Sequence, residues 1–318
     1  MIKIIKKHLS HSNFRSSLDL TDYSSRIKSC LFIPGNQEKM LFKAEKINAN
    51  VIVPDLEDSV PLKEKINARN KILSFLLNNP TVSNTQERLI FPRLNSLESG
   101  LFLDDLNFLL SSQTHKFIDG FVIPKVNTPE EYKEIEDKVR NLENKLQIQE
   151  NSVKLIIWIE STKGIINMQQ IFQLNKNFRI VAAAFGAEDF CNDFEIERSQ
   201  SLEIPRYLFA MTAHAYNIIP LDTPNVEYKN PEKLIEEIQM IKKLGFKGKF
   251  AIHPSQVDVI NKYFSPSEKE IEEALRIVEE FEKSEKIGRA SLNVDDKMVD
   301  IPVYKRALKV LKRGEYRR

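Results

Sequence analysis

Two carboxylic acids stand where apolar runs end near the middle of the chain. The run at residues 155–159 stops at Glu160, and the run at 180–185 stops just before a turn that carries Asp189. About 30 residues, one strand-helix-strand unit, separate the acids. Adjacent parallel strands would bring both to the same end of a sheet, where one or two carboxylates can hold Mg²⁺ with water and substrate oxygens. The alternative is that both acids cap helices or face solvent.

The elements that would position these acids repeat along the chain. Short apolar runs without polar alternation, typical of strands buried on both faces, cover residues 30–33, 51–53, 89–91, 121–123, 155–159, 180–185, 218–221 and 250–252. Helical spacing follows at residues 39–47, 62–77, 101–110, 129–146, 165–174, 202–215, 231–244 and 267–284. Eight such units predict an α/β fold, a (β/α)₈ TIM barrel. A doubly wound sheet is the alternative, although its glycine-rich first turn is absent.

Polar side chains follow almost every predicted strand. These strand-end residues are Asn36, Asp55, Glu57, Asp58, Arg93, Asn95, Lys125, Glu160, Glu188, Asp189, Asp222 and His253. Barrel enzymes carry their chemistry at the C-terminal ends of the strands. A barrel built only for stability has no need to gather acids, an arginine and a lysine on one rim, so the pattern predicts an enzyme.

Bulk composition excludes several classes of protein. The 318 residues are 42% hydrophobic, enough for one barrel with appendages, and the formal net charge is only +2. The basic residues form no patch with interleaved aromatics, which argues against nucleic-acid binding. No apolar run approaches the ~18 residues of a membrane span. Two cysteines and five dispersed histidines argue against a disulfide framework and a structural zinc site.

The sequence divides into three segments. Residues 1–25 form a basic extension with no acid before Asp19, as in a mitochondrial transit peptide, and a flexible cytosolic terminus is the alternative. Residues 26–285 carry the predicted barrel. Residues 286–318 form a polar tail and a basic terminal helix.

Eight motifs carry a family resemblance. In order they are CLFIPGN, VIVPDLEDSV, FPRLN, GFVIPK, WIEST, FGAED, FAIHPSQ and KMVDIP. Together they resemble the citrate lyase β-subunit-like family, within the HpcH/HpaI aldolase and malyl-CoA lyase group, over residues 29–311. The continuation of IHPSQ into KYFSPSEKEIEEA looks most like the mitochondrial citramalyl-CoA lyase type. The resemblance implies a Mg²⁺-dependent lyase that splits citramalyl-CoA into acetyl-CoA and pyruvate by retro-Claisen chemistry. It favours a mitochondrial location, with a cytoplasmic one as the alternative.

The resemblance also assigns roles at the predicted rim. Glu160 and Asp189 match the metal-ligand positions, and Arg93 matches a substrate-binding arginine whose fork suits a carboxylate or a thioester oxygen. Acids near Arg93 would orient it and the metal-bound waters, namely Asp55, Glu57 and Asp58. The alternative for Arg93 is that it simply pairs with these acids.

Five further positions match family contacts to the acyl-CoA thioester. Lys39 and Lys43 share one helix face and match contacts to the CoA moiety, although such pairs are usually a solvated face. Phe32 stands where the family can have tyrosine, so a hydroxyl contact would be lost. Ile252 and His253 match a substrate contact, with a structural histidine as the alternative.

The tail resembles a segment that covers the active site of a neighbouring subunit in the family. Asp300 would be its catalytic general acid/base, and the arrangement implies a homotrimer; a solvent-exposed loop acid is the alternative. Asp296 replaces a common glycine and Lys28 a common arginine, which puts closure of the tail and one bidentate contact in question. The alternative functions for the chain are a malyl-CoA lyase or malate-synthase-like activity, a role as a citryl thioester lyase subunit, and a role as a non-catalytic barrel scaffold.

Overall fold

The computed structural model describes residues 23–78, 88–111, 113–197, 201–286, 291–295 and 297–315. The chain divides into two compact units at Asn261. The first unit spans 27–261, and the second takes in 23–26 and the described residues from Lys262 onward. Most of the predicted transit peptide, residues 1–22, lies outside the described residues, as does Asp296.

Eight parallel strands build the first unit. They are β1 (Ser29–Pro34), β2 (Val51–Asp55), β3 (Leu89–Ile90), β4 (Gly120–Ile123), β5 (Lys154–Ile159), β6 (Ile180–Phe185), β7 (Ile219–Asp222) and β8 (Gly248–Ala251). Their spatial order is β3-β2-β1-β8-β7-β6-β5-β4. The two ends of this order are joined where the Val122 amide donates to the Pro92 carbonyl (2.9 Å) and the Leu94 amide to the Val122 carbonyl (3.1 Å). The predicted (β/α)₈ barrel is confirmed.

A helix follows each of the eight strands. They are α1 (Glu38–Lys43), α2 (Lys65–Asn78), α3 (Phe102–Leu109), α4 (Pro129–Leu146), α5 (Thr162–Gln173), α6 (Ala187–Asp193), α7 (Glu203–Ala215), α8 (Pro231–Lys243) and α9 (Pro254–Phe264). Neither α6 nor α9 was expected. Helix α6 begins two residues after β6 ends and α9 begins three residues after β8 ends, and the helix expected to follow β8, at 267–284, lies in the second unit instead.

Local sequence fixes where the helices near Glu160 begin. Thr128 and Glu131 form a capping box at the start of α4, with Pro129 in its first turn. Ser161 caps α5, because its hydroxyl accepts from the Gly164 amide at 2.9 Å. Glu160 is therefore not needed as a cap, which removes one of the alternatives for this acid.

Aromatic rings fill the barrel beneath its C-terminal rim. Phe32 of β1, Trp158 of β5 and Phe250 of β8 meet with ring centroids 4.8 to 5.6 Å apart. Every residue of β6 is buried, as expected for a strand covered on both faces. This packing holds the strand ends rigidly and so fixes the side chains that follow them.

The second unit is built on two helices and a hairpin. Helices α10 (Glu268–Lys286) and α11 (Ile301–Glu315) follow α9, and β9 (Leu292–Val294) pairs antiparallel with β10 (Lys297–Val299) between them. The helices share an apolar core made of Ile271, Ala274, Val278, Ala307, Leu308 and Leu311. The hairpin was not foreseen in the polar tail. Across the described ranges, no helix has both the length and the apolar character needed to cross a membrane.

Candidate functional site

A cavity of about 360 Å³ opens at the carboxyl ends of the barrel strands. Its polar lining consists largely of acids and one arginine, namely Asp55, Asp58, Glu160, Glu188, Asp189 and Arg93. Its apolar lining includes Phe32, Trp158, Val226 and Ile252. A concave site with apolar walls and a few convergent charged groups is the usual form of a small-molecule site.

The strand register brings Glu160 and Asp189 together. Strands β5 and β6 are parallel neighbours in which Ile159 pairs with Phe185, so Glu160 lies beside Gly186. A Cβ at Gly186 would come within 2.4 Å of the Glu160 Cβ and 2.6 Å of its Oε2, so a larger residue would displace this carboxylate. Asp189 follows in the first turn of α6, close enough to share a side-chain hydrogen bond with Glu160.

The electrostatics of this pair favour a cation. Burial raises the pKa of Glu160 well above its ordinary value, and the negative charges of Glu57 and Asp189 raise it further. A bound divalent cation would relieve this repulsion. Within the described ranges, no group of three histidine, cysteine, aspartate or glutamate residues has the arrangement of a metal site. Two carboxylates with the remaining positions open to water and substrate oxygens suit Mg²⁺ better than a closed protein cage.

Arg93 is held rigidly at the wall of the cavity. Its Nε and Nη2 donate to the two carboxylate oxygens of Asp55 at 2.6 and 2.7 Å, and its Nη1 lies 2.6 Å from Glu57 Oε2. The guanidinium also stacks 4.5 Å above the Phe32 ring. The sequence left open whether Arg93 pairs with the neighbouring acids or faces substrate. It does pair with them, and it still lines the cavity.

The Asp55–Arg93 pair is charged despite its burial. Burial alone would raise the pKa of Asp55 and lower that of Arg93, but their mutual attraction outweighs it. The pKa of Asp55 is therefore lowered and that of Arg93 raised. Asp58 adds a weaker contact at 3.5 Å and is largely exposed.

Lys125 joins this network, although the sequence singled it out only as a strand-end residue. Its Nζ donates to Glu57 Oε1 at 2.8 Å, and its backbone amide donates to Glu160 Oε1, also at 2.8 Å. Burial raises the pKa of Glu57 even though Arg93 and Lys125 both contact it. The sequence feature that could have indicated this role is the Pro124-Lys125 pair directly after an apolar run.

The predicted CoA and substrate positions are only partly gathered at the cavity. Phe32 and Ile252 line it. Lys39 and Lys43 are exposed on α1 and do not line it. His253 also lies outside the lining, with its ring stacked 4.7 Å from that of Tyr228.

Asp300 belongs to the second unit and caps α11. Its Oδ1 accepts from the Val303 amide at 3.1 Å, which is an N-cap hydrogen bond at the start of that helix. Its side chain is half-buried. The proposed contact with a neighbouring subunit stays a prediction.

The expectation that Asp222 lies on the open rim is wrong. Asp222 is fully buried and accepts hydrogen bonds from Lys249 Nζ at 2.7 Å and Arg206 Nε at 2.9 Å. Glu237 of α8 completes this cluster, 3.1 Å from both cations. Asp222 faces the surrounding helices because it is the last residue of β7 rather than the first residue beyond it.

These features define a (β/α)₈ barrel with an acid-rich site at the C-terminal ends of its strands. The chain belongs to the HpcH/HpaI aldolase/citrate lyase family, whose sequence model matches residues 28–254. The predicted family is thereby confirmed.

Known relatives cover almost the whole chain. The citrate lyase subunit beta of Haemophilus influenzae is 31% identical over 291 residues, which are 91% of this chain and 97% of that subunit. Human mitochondrial citramalyl-CoA lyase is 28% identical over 292 residues, 88% of this chain and 83% of that enzyme. The CitE protein of Mycobacterium tuberculosis, solved in complex with magnesium, acetoacetate and coenzyme A, has a TM-score of 0.69 at 22% identity. That match covers 92% of this chain and 99% of the other.

Proposed function

We propose that this protein is a Mg²⁺-dependent carbon–carbon lyase that cleaves a β-hydroxyacyl-CoA, with citramalyl-CoA split into acetyl-CoA and pyruvate. The observation that carries the proposal is the convergence of Glu160 and Asp189 beside the rigidly held Arg93 in one cavity. Membership of a family that includes citrate lyase β subunits and citramalyl-CoA lyases supports the reaction class.

Glu160 and Asp189 are the residues that would hold the metal. The magnesium in structures of the Mycobacterium tuberculosis protein supports this choice of ion. When bound, Mg²⁺ would supply Lewis acidity toward the oxygens of the 2-hydroxy acid portion of the substrate. Glu160 is itself almost fully buried, so its carboxylate is largely shielded from bulk water.

Arg93 would stabilise the charge that develops during cleavage. Asp55 holds two of its nitrogens, so the guanidinium is oriented before substrate arrives. Breaking the carbon–carbon bond leaves an electron pair on the acetyl fragment, and its enolate charge falls on the thioester oxygen. A preorganised donor near that oxygen lowers the barrier, whereas a mobile one would first need to reorient.

Asp300 of a neighbouring copy would be the general acid/base. In the cleavage direction it would accept the β-hydroxyl proton as the carbonyl of pyruvate forms, and a proton would then be delivered to the enolate to give acetyl-CoA. Asn is as good an N-cap as Asp, so Asp300→Asn would preserve the start of α11 while removing the base.

The exposed lysines of α1, Lys39 and Lys43, are proposed to bind the phosphates of CoA. Phe32 and Ile252 would contact the acyl portion, and His253 would contact the part of the thioester outside the cavity. The exposed ammonium groups suit a flexible anionic chain that runs out of the barrel mouth.

A second candidate substrate is a citryl thioester. The 31% identity to citrate lyase subunit beta favours it and exceeds the 28% identity to human citramalyl-CoA lyase. In that case the 2-oxo acid product would be oxaloacetate, and the thioester carrier could differ from CoA.

We also propose a homo-oligomer, with a trimer as the expected form, because a tail that supplies Asp300 to a neighbour needs one. Helix α7 exposes an apolar stripe at helical spacing, made of Ile204, Tyr207, Leu208 and Met211. Such a stripe suits a subunit interface. Light scattering of the purified protein measures the state directly.

Mitochondrial targeting is a separate proposal that rests on the basic residues 1–25. Fusing this segment to a fluorescent reporter tests it: import supports the transit-peptide interpretation, whereas a cytoplasmic reporter contradicts it.

The test of function is release of acetyl-CoA from citramalyl-CoA, malyl-CoA and citryl-CoA, each with Mg²⁺ and with EDTA. We expect Mg²⁺-dependent release, fastest from citramalyl-CoA. Asp300→Asn should retain metal binding and lose at least about 100-fold in kcat. Absence of release from all three thioesters by folded, metal-binding protein would contradict the proposal and favour a non-catalytic barrel.

A further inference from the structure

Lys125 adopts a backbone conformation that its residue type disfavours. It follows β4 directly and has a φ of 54°, in the left-handed region. For a residue with a Cβ this conformation is disfavoured, and it persists only where surrounding contacts enforce it. Strained backbone of this kind is concentrated at functional sites, where it positions particular groups.

The turn at Lys125 is held by two backbone hydrogen bonds, one of which reaches Glu160. The amide nitrogen donates to Glu160 Oε1 at 2.8 Å. The next amide, of Val126, donates to the Trp158 carbonyl at 3.1 Å and ties the same turn to β5. The φ of Lys125 sets the path of the chain between these two hydrogen bonds, so a residue confined to negative φ could not keep both. When the bond to Glu160 is the one given up, the carboxylate loses the donor that fixes one of its two oxygens.

The side chain of Lys125 anchors the turn at its other end. Its Nζ lies 2.8 Å from Glu57 Oε1 and 3.6 Å from Asp58 Oδ1. Glu57 is in turn held by Arg93 at 2.6 Å. The ammonium therefore connects the strained peptide to the rigid arginine network, and this contact helps to keep residue 125 in its left-handed conformation.

We propose that Lys125 is a positioning residue of the metal site: its backbone amide, held in place by the left-handed turn, fixes Glu160 Oε1 and with it the orientation of the carboxylate toward the cation. The inference rests on the proposed function only in taking Glu160 as a metal ligand. Groups that orient metal ligands typically contribute about 10- to 100-fold to metal affinity. The orientation of Glu160 thus depends on the conformation of residue 125 rather than on the lysine side chain alone.

Two substitutions separate backbone conformation from side-chain charge. Lys125→Asn removes the ammonium but tolerates the left-handed region, so the amide should stay aimed at Glu160. Lys125→Val removes the ammonium and strongly disfavours that region, because it is β-branched. Mn²⁺ serves as the probe, since its binding is read by electron paramagnetic resonance without any turnover. We expect the Asn variant to bind Mn²⁺ within about threefold of wild type and the Val variant to bind about 10- to 100-fold more weakly.

Asn217 provides a matched control. It has a φ of 58° and precedes β7, at the opposite end of the strands from the cavity. Asn217→Val carries the same kind of backbone penalty and should lower thermal stability without changing Mn²⁺ affinity. If Lys125→Val does not fold, Lys125→Ala tests the same conformational effect with a smaller expected loss, about threefold to tenfold.

The outcomes distinguish this inference from the proposed function. A folded Val or Ala variant that binds Mn²⁺ as wild type does would overturn the positioning role, as would an Asn variant as weak as the Val variant. Wild-type protein that does not bind Mn²⁺ would instead overturn the assignment of the metal site, and the positioning role with it.

Discussion

Two charge clusters of the barrel differ in the balance of their acids and cations. The rim cluster faces the cavity and combines the acids Asp55, Glu57, Asp58, Glu160 and Asp189 with the cations Arg93 and Lys125. The wall cluster lies between the strands and helices α7 and α8, and combines Asp222 and Glu237 with Arg206 and Lys249. Acids outnumber cations at the rim, whereas the wall cluster has two of each.

The pKa shifts follow this difference. In the wall cluster, burial alone would raise the pKa of Asp222, but Lys249 and Arg206 lower it. At the rim, burial raises the pKa values of Glu57 and Glu160, and the neighbouring cations do not reverse the shift. The wall cluster is thus satisfied by the protein alone, while the rim cluster holds negative charge that a bound cation would stabilise.

Burial and charge do not by themselves mark a functional site. Both clusters contain a buried arginine that is hydrogen-bonded to an aspartate. Only the rim cluster has an excess of acid and opens to a cavity. An unbalanced cluster at a cavity is the better indicator of ligand binding.

The largest expected effect is loss of the metal. Glu160→Gln should abolish Mn²⁺ and Mg²⁺ binding and lower metal-dependent turnover by at least about 1000-fold, because a neutral amide is a weak ligand for a hard cation. Isothermal titration with each metal checks binding. Asp193→Asn is the control, since Asp193 is a surface acid on the same helix as Asp189 and should leave binding unchanged. Retained affinity in Glu160→Gln would place the metal elsewhere.

The second largest expected effect is the loss of protein stability when the wall cluster is disrupted. Asp222→Asn leaves Lys249 and Arg206 without their shared carboxylate and should destabilise the protein by about 3–5 kcal/mol. Urea denaturation measures the loss. Metal affinity should stay within about twofold of wild type, because the wall cluster does not line the cavity. A change in metal affinity without a loss of stability would reverse the roles assigned to the two clusters.

Much of the architecture was predictable from the sequence, and the limits have physical causes. The eight apolar runs predicted the strands because parallel strands are buried on both faces. The spacing of Glu160 and Asp189 predicted their convergence because β5 and β6 are adjacent and parallel. Asp222 was misplaced because a one-residue error at the end of β7 reverses the face on which a side chain lies.

The contacts of Lys125 could not be predicted from the sequence. Its role depends on a left-handed backbone conformation that lysine rarely adopts, so no propensity indicates it. The acidic partner of Lys249, by contrast, could have been predicted. A lysine inside a short buried strand needs an acidic partner, and its register neighbour on β7 is Asp222.

The pH dependence of stability separates the clusters further. The pKa of Asp222 is lowered below its ordinary value of 3.8, so its ion pairs stabilise the protein above that pH, and the stabilisation is lost as the pH falls through the folded-state value. The difference in unfolding free energy between wild type and Asp222→Asn should therefore be full at pH 7 and narrow below about pH 4. Urea titrations at several pH values test this. A difference that stays constant with pH would mean that the carboxylate charge is not what stabilises the wall.

The smallest expected effect concerns the rim cluster. There, removing an acidic charge should slightly raise the stability of the metal-free protein, whereas Asp222→Asn should lower stability. Burial raises the pKa of Glu57 above 4.5, so in the metal-free protein its charged form becomes a cost to stability as the pH rises through the folded-state value. Glu57→Gln removes that charge and keeps one carbonyl acceptor, which can serve Lys125 or Arg93 but not both. In EDTA at pH 8 it should not lower the melting temperature, and a rise of about 2 °C is expected. Mn²⁺ affinity should fall about threefold, because less negative charge surrounds Glu160. If Glu57→Gln destabilised the metal-free protein as Asp222→Asn does, the rim would be a satisfied structural cluster like the wall, and its acid excess would no longer argue for a bound cation.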